Sequence, residues 1–535
     1  MWRVMIPDWF LLFPILFPLL GGLLFALIAS RLPPRARNTL PILFLILQIA
    51  AILVNIAPGS HRLALAEWSA AAFGLGFQMD GITLLLLLAM CVPLLALWLI
   101  APPRRLFDLW SILVLTGAIG LTTAANNVTI YIAWACFDLT IFLWRIARDI
   151  EHETTVRGVV IGQLTGLIFL LGSIALAAGQ SAQGAMLIGL ALWARLGVFP
   201  FHYLLPMRGV DVSDLWFARG IPLIAAANLW LHWSIFNADI PYVLIGTLAG
   251  VALIVHALWV WREETLTRAI SVGALQVILF VPLAITFGGE ANVALGLWSA
   301  LAAIFAIALF EIAIRWRAEN LNRWPRLIWF AALFAFAGLP LTPAFLGRLG
   351  VYVALWESNN GLLMLIAGIS TLVVLIPLWG FGFAIKGGEL REPHRVEYVG
   401  LAIITLAFVA LALAPMPMAH TLGRQAGAFA ERALDLVVRT DDVVGVGLGI
   451  AILALKVIGS FLVQPSAREI YRRWGTLIRN LAGVLDLEWG ERFLGSLSHR
   501  ASVLVRDVST ITEENPTVWL LFMAMWVAIF VMIAR

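Results

Sequence analysis

Residues 193–206 read WARLGVFPFHYLLP, and residues 334–350 read FAFAGLPLTPAFLGRLG. Both lie inside long apolar runs, yet each carries proline where a continuous helix would pass: Pro200 in the first, Pro340 and Pro343 in the second. Proline within a helix removes an N–H and frees a carbonyl, and inside a membrane such groups need polar partners. Corresponding broken helices in two halves of a chain are a signature of transporters built from repeats; a pair of ordinary proline kinks is the plainer alternative.

The composition around these stretches is that of a membrane protein. Hydrophobic residues make up 62% of 535 and charged residues only 12%, about half the share of a soluble domain, which is roughly 25%. With no long polar stretch to build a soluble domain, the soluble-enzyme class is excluded. Cys91 and Cys136 both sit in apolar runs, which leaves no disulfide framework and no cysteine metal site. Of 35 basic residues only Lys386 and Lys456 are lysine. The arginines fall in short loops between apolar runs, where they set orientation in the bilayer rather than bind nucleic acid.

A membrane helix needs about 20 apolar residues. Runs of that kind lie near 7–30, 38–57, 81–101, 106–125, 127–147, 156–178, 183–204 and 216–236. Eight more lie near 241–261, 268–288, 292–316, 327–356, 360–386, 397–418, 443–464 and 517–534. The first is too long for a signal peptide and lacks a cleavage site after it, so it reads as a span. Arginines cluster in the loops after spans 1, 3, 5, 9, 11 and 13 and are missing from the loops after spans 4, 6, 8 and 10. The reading is sixteen spans of a multi-pass inner-membrane protein, with both termini outside.

The expected organisation begins with N-terminal helices over 1–105. Two five-helix blocks follow, 106–236 and 241–386, each with a broken fourth helix. C-terminal helices fill 397–464, with a short amphipathic surface helix over 419–440. A basic amphipathic segment, 465–514, suits the cytoplasmic interface or partner helices, or else a solvated linker. Residues 517–535 form the last span.

Five motifs in order resemble the proton-antiporter-like subunits of respiratory complex I and Mrp antiporters. They are GFQMDGITLLLLLAM at 76–90, ANNVTIYIAWACFDLTIFL at 125–143, ARLGVFPFHYLLP at 194–206, REETLTRAISVGALQV at 262–277 and AGLPLTPAFLGR at 337–348. The third matches the family in Pro200, His202 and Pro206. The segment before the last span is similar to the lateral helix of the complex I member. The resemblance implies an all-α fold with two inverted five-helix repeats, a chain of ionisable groups at mid-membrane and other membrane subunits as partners. Redox chemistry would sit in those partners, since no cofactor motif occurs in this chain.

The family's ionisable residues are altered here. After Trp134, where the resemblance implies a glutamate, stands Ala135; Asp138 lies on the same helix face and is a candidate substitute, or else pairs locally with Arg145 or Arg195. The family lysines of the two broken helices are Arg195 and Arg348, and a family histidine is Phe217. Near 295–312 the only ionisable side chain is Glu311. Guanidinium keeps its proton in proteins whereas a buried lysine can lose it, so the arginines can gate a path or hold a carboxylate but not carry protons. Both need partners at membrane depth: Asp138 for Arg195, and Glu357 or Glu311 for Arg348.

His202 and His256 are candidates for a proton path or for ordinary hydrogen bonding, and His232 is similar; Lys456 reads as a snorkelling or packing residue outside the blocks. The candidate ion-path or gating residues are thus Asp138, Arg195, His202, His256, Glu311 and Arg348, with no metal site. The expected function is a membrane subunit moving protons or sodium in a complex I, Mrp or hydrogenase-type assembly. The alternatives are a non-pumping scaffold of such a complex and a membrane partner in inorganic-carbon uptake.

Overall fold

In a medium without water every backbone polar group must be satisfied within the protein, and apolar runs of bilayer length meet that demand as helices. The computed structural model describes residues 8–28, 31, 33–55, 61–68, 73–100, 109–148, 150, 152–202, 210–211, 214–236, 238–263, 265–289, 292–319, 324–339, 342, 344–383, 395–413, 444–456, 458–459, 476–477 and 480. The helices are α1 (Phe13–Ile28), α2 (Pro34–Leu53), α3 (Gly81–Ile100), α4 (Leu109–Thr123), α5 (Asn127–Ala147), α6 (His152–Ala177), α7 (Ser181–Arg195) and α8 (Ile221–Leu231). They continue with α9 (Tyr242–Arg262), α10 (Leu266–Ile278), α11 (Phe280–Phe287), α12 (Asn292–Glu319), α13 (Trp324–Ala337), α14 (Ala344–Glu357), α15 (Gly361–Phe383), α16 (Arg395–Leu413) and α17 (Val444–Lys456). All belong to one compact unit, Met1–Ile478; of a second unit, Arg479–Arg535, only Asn480 is described.

Seven helical stretches among the described residues are long and apolar enough to cross a membrane, and five shorter apolar helices accompany them. The protein is a largely helical, multi-pass membrane protein. The expected elements at 419–440 and 517–535, Pro340 and Pro343, and nearly all of 465–514 lie outside the described residues.

Three features depart from the run of plain helices expected from the sequence. Residues 61–79, expected to hold no element, form an antiparallel hairpin of β1 (His61–Trp68) and β2 (Phe73–Met79), with His61 opposite Met79 and Trp68 opposite Phe73. Its short alternating segments are too polar to span, and their backbone groups pair with each other instead. The hairpin is tied to the α4–α5 turn: Ala125 N–H donates to the Gly76 carbonyl at 2.9 Å, and Gly76 N–H donates to Thr129 Oγ1 at 2.8 Å. The expected span at 216–236 starts as a π-helix, Trp216–Gly220, and ends as a 3-10 turn, Trp233–Phe236. Pro222, four residues after Ala218, cannot donate to that carbonyl, which favours the wider turn. The span at 268–288 is interrupted at Leu279, between α10 and α11, because Pro282 leaves the Ile278 carbonyl without its helical donor.

Burial differs sharply along the chain. The apolar window of α12 is 94% buried, packed among α3, α8, α10, α11, α13 and α14. That of α6 is only 28% buried. Val156, Val160, Leu164, Leu167, Leu171 and Ile174 form its exposed apolar stripe at helical spacing, a face suited to lipid or to another membrane subunit.

Candidate functional site

Along α5, residues Ile130, Trp134, Asp138, Ile141 and Arg145 fall on one buried face, while Ile132 and Leu139 are exposed on the other. The sequence therefore points a carboxylate and a guanidinium into the bundle from one helix. Arg195 ends α7, and Gly197, with φ of +65°, turns the chain away two residues later. The Arg195 guanidinium donates to Asp138 Oδ1, and both side chains are buried. Arg195 Cζ also lies 4.9 Å from the Trp134 ring centre and 5.0 Å from that of Phe137. A buried cation thus meets one anion and two aromatic faces, which together offset its desolvation. Asp138 Oδ2 makes no hydrogen bond among the described residues, and Trp134 stands near enough to the carboxylate to act on it.

Further charges gather beside the pair. Arg145 is buried and close enough to act electrostatically on both Asp138 and Arg219. Arg219 sits in the π-helix and its Nε donates to Ser271 Oγ on α10 at 2.6 Å. The wide turn places this guanidinium in the bundle interior, and π-turns of this kind are frequent at functional sites. Arg219 is within electrostatic reach of His202 and His256. The Phe199 N–H donates to His256 Nε2 at 3.1 Å, so the break after α7 is held to α9, and the His202 ring stands edge-on to Trp259 at 4.2 Å. Pro200 lies in this same break, half-buried. Toward α12, Asp214 lies 3.8 Å from Arg148 and within reach of Glu311, whose carboxylate is bonded by Arg315 one turn on.

The second broken helix is built differently. Chain direction changes at Gly338, with φ of +73°, where an added Cβ would come within 2.4 Å of Arg348 Cγ. Gly338 therefore serves both the turn and the room for Arg348. Neither Glu311 nor Glu357 is the observed partner of Arg348, contrary to expectation. Glu311 is bonded to Arg315, and Arg348 Cζ stacks on the Phe280 ring at 3.3 Å while Nη2 donates to the Phe336 carbonyl at 3.4 Å. The interruption at Leu279 is what presents Phe280 to the guanidinium. Tyr352, one turn after Arg348, is near enough to hydrogen-bond it and accepts from Lys456 Nζ at 2.5 Å. Lys456, expected to snorkel or pack, is buried against this site.

A third polar group joins the start of α3 to the end of α8. Asp80 Oδ1 accepts from Thr83 N–H at 2.8 Å, capping α3, and its other oxygen lies 2.9 Å from His232 Nε2. His232 Nδ1 donates to the Asn228 carbonyl at 3.0 Å, and Asn228 in turn donates to the Thr122 carbonyl on α4 at 2.9 Å.

The structure thus brings Asp138, Arg195, His202 and His256 into one neighbourhood, with Glu311 on its far side, and leaves Arg348 in a separate one. Sequence reading missed Arg219, Asp214, Ser271 and Tyr352. Asp214 and Arg219 lie within the eight residues before Pro222, and charge beside proline in an apolar run was the signal that would have found them. Among the described residues no group of three His, Cys, Asp or Glu side chains comes together to hold a metal ion.

No protein-family model matches the chain. Subunit N of the NADH-quinone oxidoreductase of Cutibacterium acnes is 24% identical to it over 381 residues, covering 57% of this chain and 70% of that protein. Subunit N 2 of the enzyme from Solidesulfovibrio magneticus is 24% identical over 367 residues, covering 64% and 76%. A chain of respiratory complex I from Thermus thermophilus shares the fold with a TM-score of 0.66 at 16% identity, covering 79% of this chain and 99% of that one. A chain of the Mrp complex from Dietzia sp. does so with a TM-score of 0.74 at 15% identity, covering 92% and 60%. By sequence relatives and by fold together, the chain is a divergent relative of the antiporter-like membrane subunits of complex I and Mrp.

Proposed function

We propose that the chain is an ion-translocating membrane subunit, moving protons or sodium within a multisubunit assembly whose redox chemistry resides in other subunits. The observation that carries this reading is the buried Asp138–Arg195 pair beside the broken end of α7. Charge at membrane depth costs on the order of 2.5–3.5 kcal/mol on insertion scales, and such residues mark ion pathways. From Asp138 the candidate path runs past Arg145 and Arg219 to His202 and His256, and on to Glu311. The arginines set the potential along it, while carboxylates and imidazoles exchange protons.

The same reading takes 106–236 and 241–386 as two five-helix repeats of opposite orientation. In its support, each block supplies five helical segments in order, with the break at the fourth: after α7 in one, between α13 and α14 in the other. Arginine placement supports both termini outside an inner membrane. The exposed stripe of α6 supports neighbouring membrane subunits or lipid on that side.

The test is proton and sodium flux through the full-length chain in sealed vesicles, read with ion-sensitive dyes. The Asp138→Asn, Glu311→Gln variant abolishes flux while eluting like wild type in detergent. Wild-type flux in that variant overturns the mechanism. A second reading, a scaffold that no longer pumps, is favoured by Arg195 and Arg348, which hold fixed positive charge at both breaks; absence of flux in the wild-type chain would select it.

A further inference from the structure

Lys456 stands apart from the path just described. It lies on α17, outside both blocks, and is 1% exposed. Its ammonium donates to Tyr352 Oη at 2.5 Å and lies 4.9 Å from the Tyr352 ring centre. Tyr352 in turn belongs to the surroundings of Arg348 at the second helix break. Only two of 35 basic residues are lysine, and one of them occupies this buried place.

The placement follows from one face of α17. Gly449, Leu453 and Lys456 recur at helical spacing, while Val444, Ile450 and Leu455 are exposed. At Gly449 an added Cβ would meet Leu349 Cδ1 at 2.7 Å and Tyr352 Cβ at 3.5 Å, so the backbone of α17 runs directly against α14. Small residues permit such approach between membrane helices. Two turns later the same face delivers Lys456 to the Tyr352 hydroxyl.

We propose that Lys456 is a proton-exchanging group at the second helix break, carried to the Arg348 site by a helix outside the repeats. This rests on the proton-moving reading above. Arg348 cannot release a proton, whereas a buried lysine can. In the step, an Nζ–H bond breaks and the proton passes to a water molecule on one side. The freed lone pair then accepts a hydrogen bond from the Tyr352 hydroxyl, which keeps its proton, and a proton taken up from the other side restores the ammonium. Arg348 remains charged throughout and Phe280 holds it in place.

Because the chain has two lysines, the Lys386→Arg protein labelled with ¹³C,¹⁵N-lysine reports Lys456 as a single side-chain signal. That signal is expected to move with pH as the ammonium gives up its proton within the range where the protein stays folded. A signal fixed at the charged position throughout overturns the proposal, whatever the flux. In sealed vesicles, Lys456→Met and Lys456→Arg are each expected to lower proton flux by about a hundredfold, the scale of a lost acid–base group. Full flux in Lys456→Arg also overturns it, since charge alone would then suffice. If the wild-type chain moves no protons, the ion-translocation reading fails, and the titration alone decides whether Lys456 exchanges.

Discussion

The two broken helices carry the same residue type at membrane depth and satisfy it in opposite ways. Arg195 ends the helix before its break and meets a carboxylate from α5. Arg348 lies in the helix after its break and rests on an aromatic ring, a carbonyl and a tyrosine. No carboxylate forms an ion pair with Arg348 among the described residues. The first site is an ion pair whose anion can take up a proton; the second holds a net positive charge and borrows a lysine from α17. A guanidinium tolerates both surroundings because it is delocalised, weakly hydrated and planar, and so stacks as readily as it pairs.

The largest expected effect falls on the paired site. Asp138→Asn leaves Arg195 as a buried charge without its anion and should destabilise the protein by about 3–5 kcal/mol in detergent unfolding. Adding Arg195→Gln should restore part of the loss. An unaffected single variant would erase the contrast between the sites.

The two turning glycines sharpen it. Gly338→Ala puts a Cβ against Arg348 as well as at positive φ, and should cost more than the ~1–2 kcal/mol charged for left-handed backbone alone. Gly197→Ala should cost only that smaller amount, by the same unfolding measurement. Equal costs would mean that Arg348 moves aside freely.

Phe280→Leu keeps an apolar side chain but removes the ring face, and should cost about 2 kcal/mol, the scale of a desolvated cation–π contact. The paired site should feel nothing from this change. The mildest change is Arg195→Lys, expected to lower stability by less than about 1 kcal/mol through lost stacking on Trp134 and Phe137. Proton flux should be retained or rise, because lysine adds an exchangeable group. A collapse of flux would show that the fixed guanidinium charge is what the first site requires.

Much of this architecture was legible as pattern. Pro200, Pro340 and Pro343 marked the breaks, and the α5 face was readable from the spacing of Trp134 and Asp138. Asp138 and Arg195 could be named as partners because a buried charge demands an opposite one and few carboxylates lie in apolar runs. The same logic failed for Arg348. It counted only carboxylates as partners and overlooked an aromatic face, which no charge pattern reveals. Arg219 was missed because a π-turn shifts helical phase by a residue, moving a side chain that regular spacing places elsewhere.

What the sequence alone determined is solvent and class: apolar runs of bilayer length, arginine between them and proline within several of them dictate a helical membrane protein with interrupted spans, because lipid leaves the backbone no other partner. What only the tertiary structure decided is which charges meet. Asp138 and Arg195 are 57 residues apart, and Lys456 and Tyr352 are 104 apart. Local propensity carries no information across such distances. Helix packing does, and it placed a lysine from α17 beside the buried Arg348 site.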